Sequence, residues 1–160
     1  MSVQWIIVAD RDAFAFFIAV CGCLAARTSG MHDAVMPGQV ETAIRARVGA
    51  GTRLPTPTGR ATFGVGEVSP AGLVLLFGTK QTRTVFSWSC LEGIPGYLHG
   101  RGWVRVGANR DVHGSQSTLD GYLKTFVKRQ AADYVAVVLE RAGVVDLDRE
   151  RPARVRLRRT

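Results

Sequence analysis

The feature that most constrains the fold is an alternation of apolar and basic residues near the C-terminus. The segment ARVRLR (153–158) places apolar residues between arginines: Val155 and Leu157 between Arg154, Arg156 and Arg158. A period of two is typical of a β-strand with one buried and one solvent-facing side. The preceding VVDLD (144–148) and the polar turn RERP (149–152) supply a partner strand and a connection. The sequence therefore predicts a β-hairpin whose arginines point outward.

Positive charge is concentrated in the same part of the chain. The net charge is +8, and residues 149–160 contribute +5 of it through six arginines and one glutamate. Such a field attracts polyanions, namely nucleic acid, an anionic membrane surface or an acidic protein. GC-rich coding would also produce eighteen arginines against three lysines, so the charge alone does not establish a partner.

Helical spacing precedes the hairpin. The run STLD (117–120) is typical of a helix start, because Ser, Thr and Asp side chains accept hydrogen bonds from the first turn's amides. Apolar residues then recur at helical spacing up to Gly143. The pattern predicts one long helix or two helices joined near residues 128–130. Cations lie on the other side of its first half: Lys124, Lys128 and Arg129.

Helix, helix and hairpin, with LERAGVV (139–145) at the junction, resemble the winged-helix DNA-binding domain over about residues 117–159. The resemblance implies that helix 131–142 enters the major groove and that the hairpin, the wing, presents cations to phosphates. The implied wing residues are Arg149, Arg151, Arg154, Arg156 and Arg158.

One feature departs from that family. The outward face of helix 131–142 carries Ala and Val side chains and Asp133, which offer little to a base edge. We therefore expect phosphate contacts with weak base readout. The alternative is that helix 131–142 is a core helix covered by the sheet, in which case the arginines serve another partner.

The middle of the chain predicts a small antiparallel sheet. Residues 39–48 have helical spacing ended by Gly49, and three strands follow, separated by Gly-containing turns, at 60–68, 73–77 and 82–88. Residues 88–98 indicate a short irregular helix, broken by Pro95 and Gly96.

A short strand is expected at GRGWVRVG (100–107), where Trp103 and Arg105 share the side opposite Val104 and Val106. An aromatic residue beside cations stacks on a nucleic-acid base in some proteins, and in others it covers the edge of the core. We favour the second interpretation for Trp103.

Residues 1–36 form an uncertain N-terminal segment. The unbroken apolar run at 13–26 is too short to cross a bilayer as a helix, and the acidic residues before it are unlike a signal peptide. It is either an apolar strand and helix or, if the native start is Met31 or Met36, an extension with no constrained fold.

Catalytic signatures are weak throughout. Asp10 and Asp12 follow an apolar strand and resemble the D-x-D motif of haloacid-dehalogenase-type phosphatases, but Phe14 stands where that family has Thr or Val. Asp111, His113 and Ser115 share one Gly-containing loop, which cannot hold a triad in place. The three cysteines show no disulfide or metal spacing, which favours a reducing cytoplasm and predicts no metal or other cofactor.

These observations predict one α+β domain at 37–160, with an N-terminal helix, a small antiparallel sheet, C-terminal helices and a basic hairpin. The leading hypothesis is a non-enzymatic module that binds nucleic acid, duplex DNA in particular. Its predicted contacts are Lys124, Lys128, Arg129, Arg149, Arg151, Arg154, Arg156, Arg158 and Arg159. The second hypothesis is an assembly subunit that binds an acidic partner or a second copy, as in a homodimer. The third is a small metal-dependent hydrolase that uses Asp10 and Asp12 or the 109–117 loop.

Overall fold

The structure, a computed structural model, describes residues 38–107 and 115–159. Helices and antiparallel sheets both occur, so the predicted α+β class is confirmed. The predictions for Asp10, Asp12, Asp111 and His113, and for the N-terminal segment, lie outside the described residues. In chain order the elements are α1 (Gln39–Arg47), β1 (Arg53–Pro55), β2 (Thr62–Ser69), β3 (Gly72–Phe77), β4 (Thr82–Ser87), α2 (Trp88–Leu98), β5 (Val104–Arg105), α3 (Leu119–Lys124), α4 (Ala132–Ala142), β6 (Val145–Asp148) and β7 (Arg154–Leu157).

The first sheet is an antiparallel meander in the order β1-β2-β3-β4. The three predicted strands are confirmed as β2, β3 and β4. Gly72 at the start of β3 allows a close approach to β4, because a Cβ there would lie 2.2 Å from the carbonyl oxygen of Phe86. Sequence reasoning missed β1, which has only three residues and contains Pro55, so it shows no alternation.

The second sheet has three strands in the order β5-β7-β6. The predicted hairpin is confirmed: β6 pairs with β7 in an antiparallel register that sets Asp146 opposite Arg156 and Leu147 opposite Val155. Pairing continues past β7, because the amide of Arg158 donates to the carbonyl oxygen of Val144. On its other side β7 pairs with β5, so the hairpin is part of a wider sheet.

The C-terminal helical pattern resolves into two helices, α3 and α4. The helix start predicted at residues 117–120 is confirmed, and Thr118 is the N-cap of α3, where its side chain accepts a hydrogen bond from the amide of Gly121. Gly143 ends α4 with a φ of 81°, a conformation that favours glycine.

Helix α4 lies in the core. Val135, Val138 and Leu139 are buried on it, and it packs against α1, α3, β1 and β6. The ring of Tyr134 lies 5.0 Å from that of Phe63 in the first sheet. Residues from both sheets and from each of the described helices therefore share one hydrophobic core.

Helix α2 differs from its prediction, because it continues through Pro95 to Leu98. Its apolar side is buried at Leu91, Ile94 and Leu98. This packing compensates for the loss of the backbone hydrogen bond that a proline cannot donate. The Glu92 carboxylate on α2 also accepts hydrogen bonds from the first-turn amides of α1. No helix in the described part of the chain combines the length and apolar character that a bilayer span requires.

A candidate nucleic-acid interface on the second sheet

The solvent-facing side of the second sheet carries one set of polar and aromatic side chains. Val104 of β5 and Val155 of β7 are buried on the opposite side of the sheet. Because side chains alternate along a strand, the neighbours of these valines in each strand point outward. We call this surface the basic face, and it consists of Trp103, Arg105, Asp146, Asp148, Arg154, Arg156 and Arg158.

One carboxylate holds two arginines on this face. Nε of Arg156 lies 3.1 Å from Oδ2 of Asp146, and Nε of Arg158 lies 3.0 Å from Oδ1. Each arginine donates to Asp146 through Nε alone, so its terminal Nη groups have no hydrogen-bond partner among the described residues. The two side chains remain 44% and 45% exposed, respectively, so both guanidinium groups are accessible to a ligand.

These contacts also act on the carboxylate. The pKa of Asp146 is lowered from its ordinary value, chiefly by its hydrogen bond to Arg158 and, to a smaller extent, by its bond to Arg156. Partial desolvation acts in the opposite direction. Asp146 is therefore ionised across the neutral range, and it orients the two arginines there.

The next row of the basic face also has one carboxylate for two arginines, but that carboxylate pairs with only one of them. Arg105 lies directly opposite Arg154, and Arg154 lies opposite Asp148. Nη2 of Arg154 is 3.0 Å from Oδ2 of Asp148, whereas Arg105 has no ion pair with any described residue. Like charges on facing positions of neighbouring strands are destabilising. An anion held between Arg105 and Arg154 would remove that repulsion.

Trp103 completes the surface at the start of β5. Its side chain is 41% exposed. Cζ of Arg156 lies 4.5 Å from the centre of the indole ring, within the range of a cation–π contact. Arg156 therefore contacts both the indole and Asp146, and the three side chains form a row across the sheet.

A cavity of about 400 Å³, as bounded by described residues, opens beside Arg105 and is also lined by Asp133. The pKa of Asp133 is raised, first by burial and second by the charge of Asp120. The opening leaves Arg105 accessible from the side of the hairpin turn, where Pro152 also lines the cavity.

The hairpin turn is less available for binding than its sequence suggests. Arg149 donates from Nη1 and Nη2 to the two carboxylate oxygens of Glu140, at 2.8 and 2.6 Å, so its two terminal groups are already paired. Arg151 and Arg159 are exposed and have no ion pair with any residue that the structure describes. The predicted wing is thus partly compensated within the protein.

Two of the three helical cations lie away from the basic face. Lys124 is buried beside Asp120, with its side chain only 3% exposed, so it is not a surface contact for nucleic acid. Arg129 donates to Thr84 of β4, which places it against the first sheet. Lys128 is exposed.

The assignment of α4 as a recognition helix is wrong for this structure. Val135, Ala136, Val137 and Val138 are consecutive and all buried, so no continuous face of α4 is open to a DNA groove. Burial confirms the first part of the alternative prediction, a core helix, although α1 covers α4 as well as strands of both sheets. The second part, that the arginines serve another partner, stays a prediction. The available signal was the apolar run at 134–139, because a stretch of helix that is apolar on all sides belongs in a core.

Four members of the basic face were absent from the predicted contacts: Trp103, Arg105, Asp146 and Asp148. The two aspartates had a readable signal, because D-x-D in one strand of a hairpin faces R-x-R in the other once the register is assigned. Arg105 had none, because its position opposite Arg154 follows from the pairing of β5 with β7, two strands far apart in the chain.

No protein-family model, curated protein or solved structure matches this chain. Within residues 38–107 and 115–159, no three His, Cys, Asp or Glu side chains come together as metal ligands. The chemistry of the basic face therefore carries the functional argument.

Proposed function

We propose that the protein is a non-enzymatic nucleic-acid-binding module that contacts phosphate groups through the basic face. The observation that carries the proposal is the bridging position of Asp146, which binds Arg156 and Arg158 through Nε and leaves their terminal groups accessible. Planar guanidinium groups bind phosphate oxygens in a bidentate manner. Two such groups held side by side form a phosphate site in advance of binding.

Internal ion pairing is compatible with this role. A flexible arginine that becomes fixed in a complex loses about 0.5–1.5 kcal/mol of side-chain entropy. Asp146 already restricts two of these side chains, so part of that cost is met before the ligand arrives. The basic face also keeps an excess of positive charge, with four arginines against two aspartates.

The connectivity gives limited additional support. The helix–helix–hairpin order that resembles a winged helix corresponds to α3, α4, β6 and β7. Since α4 is buried, the proposal does not include base readout by a helix in the major groove. Sequence-independent phosphate contact is the expected mode. Such binding weakens steeply as the salt concentration rises, because releasing condensed counterions from the phosphates then gains less entropy.

Fluorescence anisotropy of labelled oligonucleotides across a salt series tests the proposal. The double variant R156Q/R158Q should weaken binding and reduce the slope of log K against log[salt] by about 1.4 to 1.8, the value for two lost phosphate contacts. The matched control is R60Q/R83Q, which removes the same charge from the first sheet and its β1–β2 loop.

Equal losses in the two double variants would contradict the proposal, because the effect would then follow from net charge alone. Absence of salt-dependent binding by the unsubstituted protein would contradict it as well. A concentration-dependent dimer in light scattering, in place of oligonucleotide binding, would favour the assembly hypothesis.

A further inference from the structure

We infer that the basic face binds single-stranded nucleic acid, with one base stacked on Trp103 and the adjoining phosphates at Arg156 and Arg158. This inference rests on the proposed function and adds the class of nucleic acid and the role of the indole.

The width of the second sheet argues against insertion into a duplex. The major groove of B-DNA, about 12 Å wide, admits an α-helix or a two-stranded ribbon. Here β7, the strand that carries the arginines, is the central strand of three, with neighbours about 4.8 Å away on each side. With their side chains, three strands are too broad for the groove, and α4 is buried. A duplex could therefore offer this surface only its backbone.

A single strand can use more of the basic face, because its bases are accessible. Trp103 lies at the start of β5, which is an edge strand of the second sheet, so a base can approach the indole from beyond the sheet. The exposed part of the ring offers an apolar surface beside cations, the combination used by proteins that bind single strands without sequence preference.

Arg156 links the two contacts. Its guanidinium group lies over the indole at 4.5 Å and is held by Asp146, so both the ring and the cation are restricted before binding. A nucleotide whose base stacks on Trp103 brings its phosphate close to Arg156 and, two residues along β7, to Arg158. The same residues thus account for stacking and phosphate contact.

Competition binding with three probes separates the contribution of base stacking from that of phosphate contact. The probes are an oligothymidine of about fifteen nucleotides, a duplex of the same length and inorganic polyphosphate. Stacking of a base on an aromatic ring supplies a substantial part of single-strand affinity, so W103L should lower the affinity for oligothymidine by about tenfold. The W103F variant should retain most of the affinity, because phenylalanine also stacks. Neither variant should change the affinity for polyphosphate by more than about twofold, since polyphosphate has no base to stack.

Phe126 provides the matched control. It is 49% exposed and belongs to the region after α3, so F126L removes an exposed aromatic ring outside the basic face. This variant should bind all three probes like the unsubstituted protein. Circular dichroism checks that each variant is folded. If W103L does not fold, tryptophan fluorescence in the unsubstituted protein gives a second readout, because oligothymidine should quench it and polyphosphate should not.

Binding of the duplex at least as tightly as oligothymidine would overturn the inference, as would an unchanged oligothymidine affinity in W103L. Either result leaves the proposed function in place, provided that R156Q/R158Q still weakens binding. Failure of all three probes to bind would instead overturn the proposed function itself.

Discussion

Nζ of Lys124 lies 2.7 Å from Oδ2 of Asp120, and neither side chain is more than 3% exposed. The two residues are one helical turn apart in α3, which carries both of them in the interior. Removing an ion from water is costly unless an opposite charge accompanies it. Each of these charges is therefore tolerated because the other one is present.

Loss of one partner should destabilise the protein strongly. Substitution of either residue, as D120N or K124M, should lower the free energy of unfolding by about 3–5 kcal/mol, because a buried charge then lacks its counterion. The double variant D120N/K124M should lose less than the sum of the two single losses. Urea denaturation followed by circular dichroism measures all three values. Additive losses would show that the two charges do not depend on each other.

Acid should weaken the contribution of Asp146 to stability. Because its folded-state pKa lies below the ordinary value of about 3.9, its contribution is fully present above that value. It is then lost as the pH falls through the folded-state pKa. Between about pH 7 and pH 2.5, the melting temperature of D146N should fall less steeply than that of the unsubstituted protein. E67Q, which alters a more exposed ion pair with Arg83, is the control and should keep the original decline.

D146N also distinguishes the effect of arginine orientation from the effect of net charge on ligand binding. D146N raises the net charge by one, so charge counting alone predicts tighter binding of polyphosphate. The proposed function predicts weaker binding, by about threefold, because Arg156 and Arg158 lose the carboxylate that orients them. Isothermal titration calorimetry at moderate salt gives the affinities. Tighter binding by D146N would show that orientation does not matter at this site.

Cys90 should be unreactive in the folded protein. Burial raises the pKa of its thiol to about 12, so almost no thiolate is present at pH 8. Iodoacetamide should leave the Cys90 peptide unmodified under native conditions and should alkylate it fully in guanidinium chloride. Peptide mapping by mass spectrometry separates this peptide from those of Cys21 and Cys23. Rapid native alkylation of Cys90 would mean that α2 opens readily.

The hairpin was predictable from sequence because its signal is local. Alternation in residues 153–158 and a polar turn before them were sufficient to assign a strand and its outward arginines. Given that pairing, the Asp146–Arg156 contact follows from the register. The site prediction failed for residues whose burial depends on distant parts of the chain. Lys124 is buried by elements that pack on α3 from elsewhere in the chain, and no local pattern reports that packing. For α4 the composition did indicate a core helix, but it did not show which elements would cover it.

The central place of β7 has a consequence for synthesis. A nascent chain that has reached only β6 holds two strands, β5 and β6, with no partner between them. The intervening helices cannot supply that partner, and the contacts of β5 with β7 span both α3 and α4. Closing contacts so distant in sequence is slow compared with forming a helix. The second sheet can therefore assemble only after β7 has left the ribosome, so Arg154 and Arg156 arrive with the strand that joins β5 to β6.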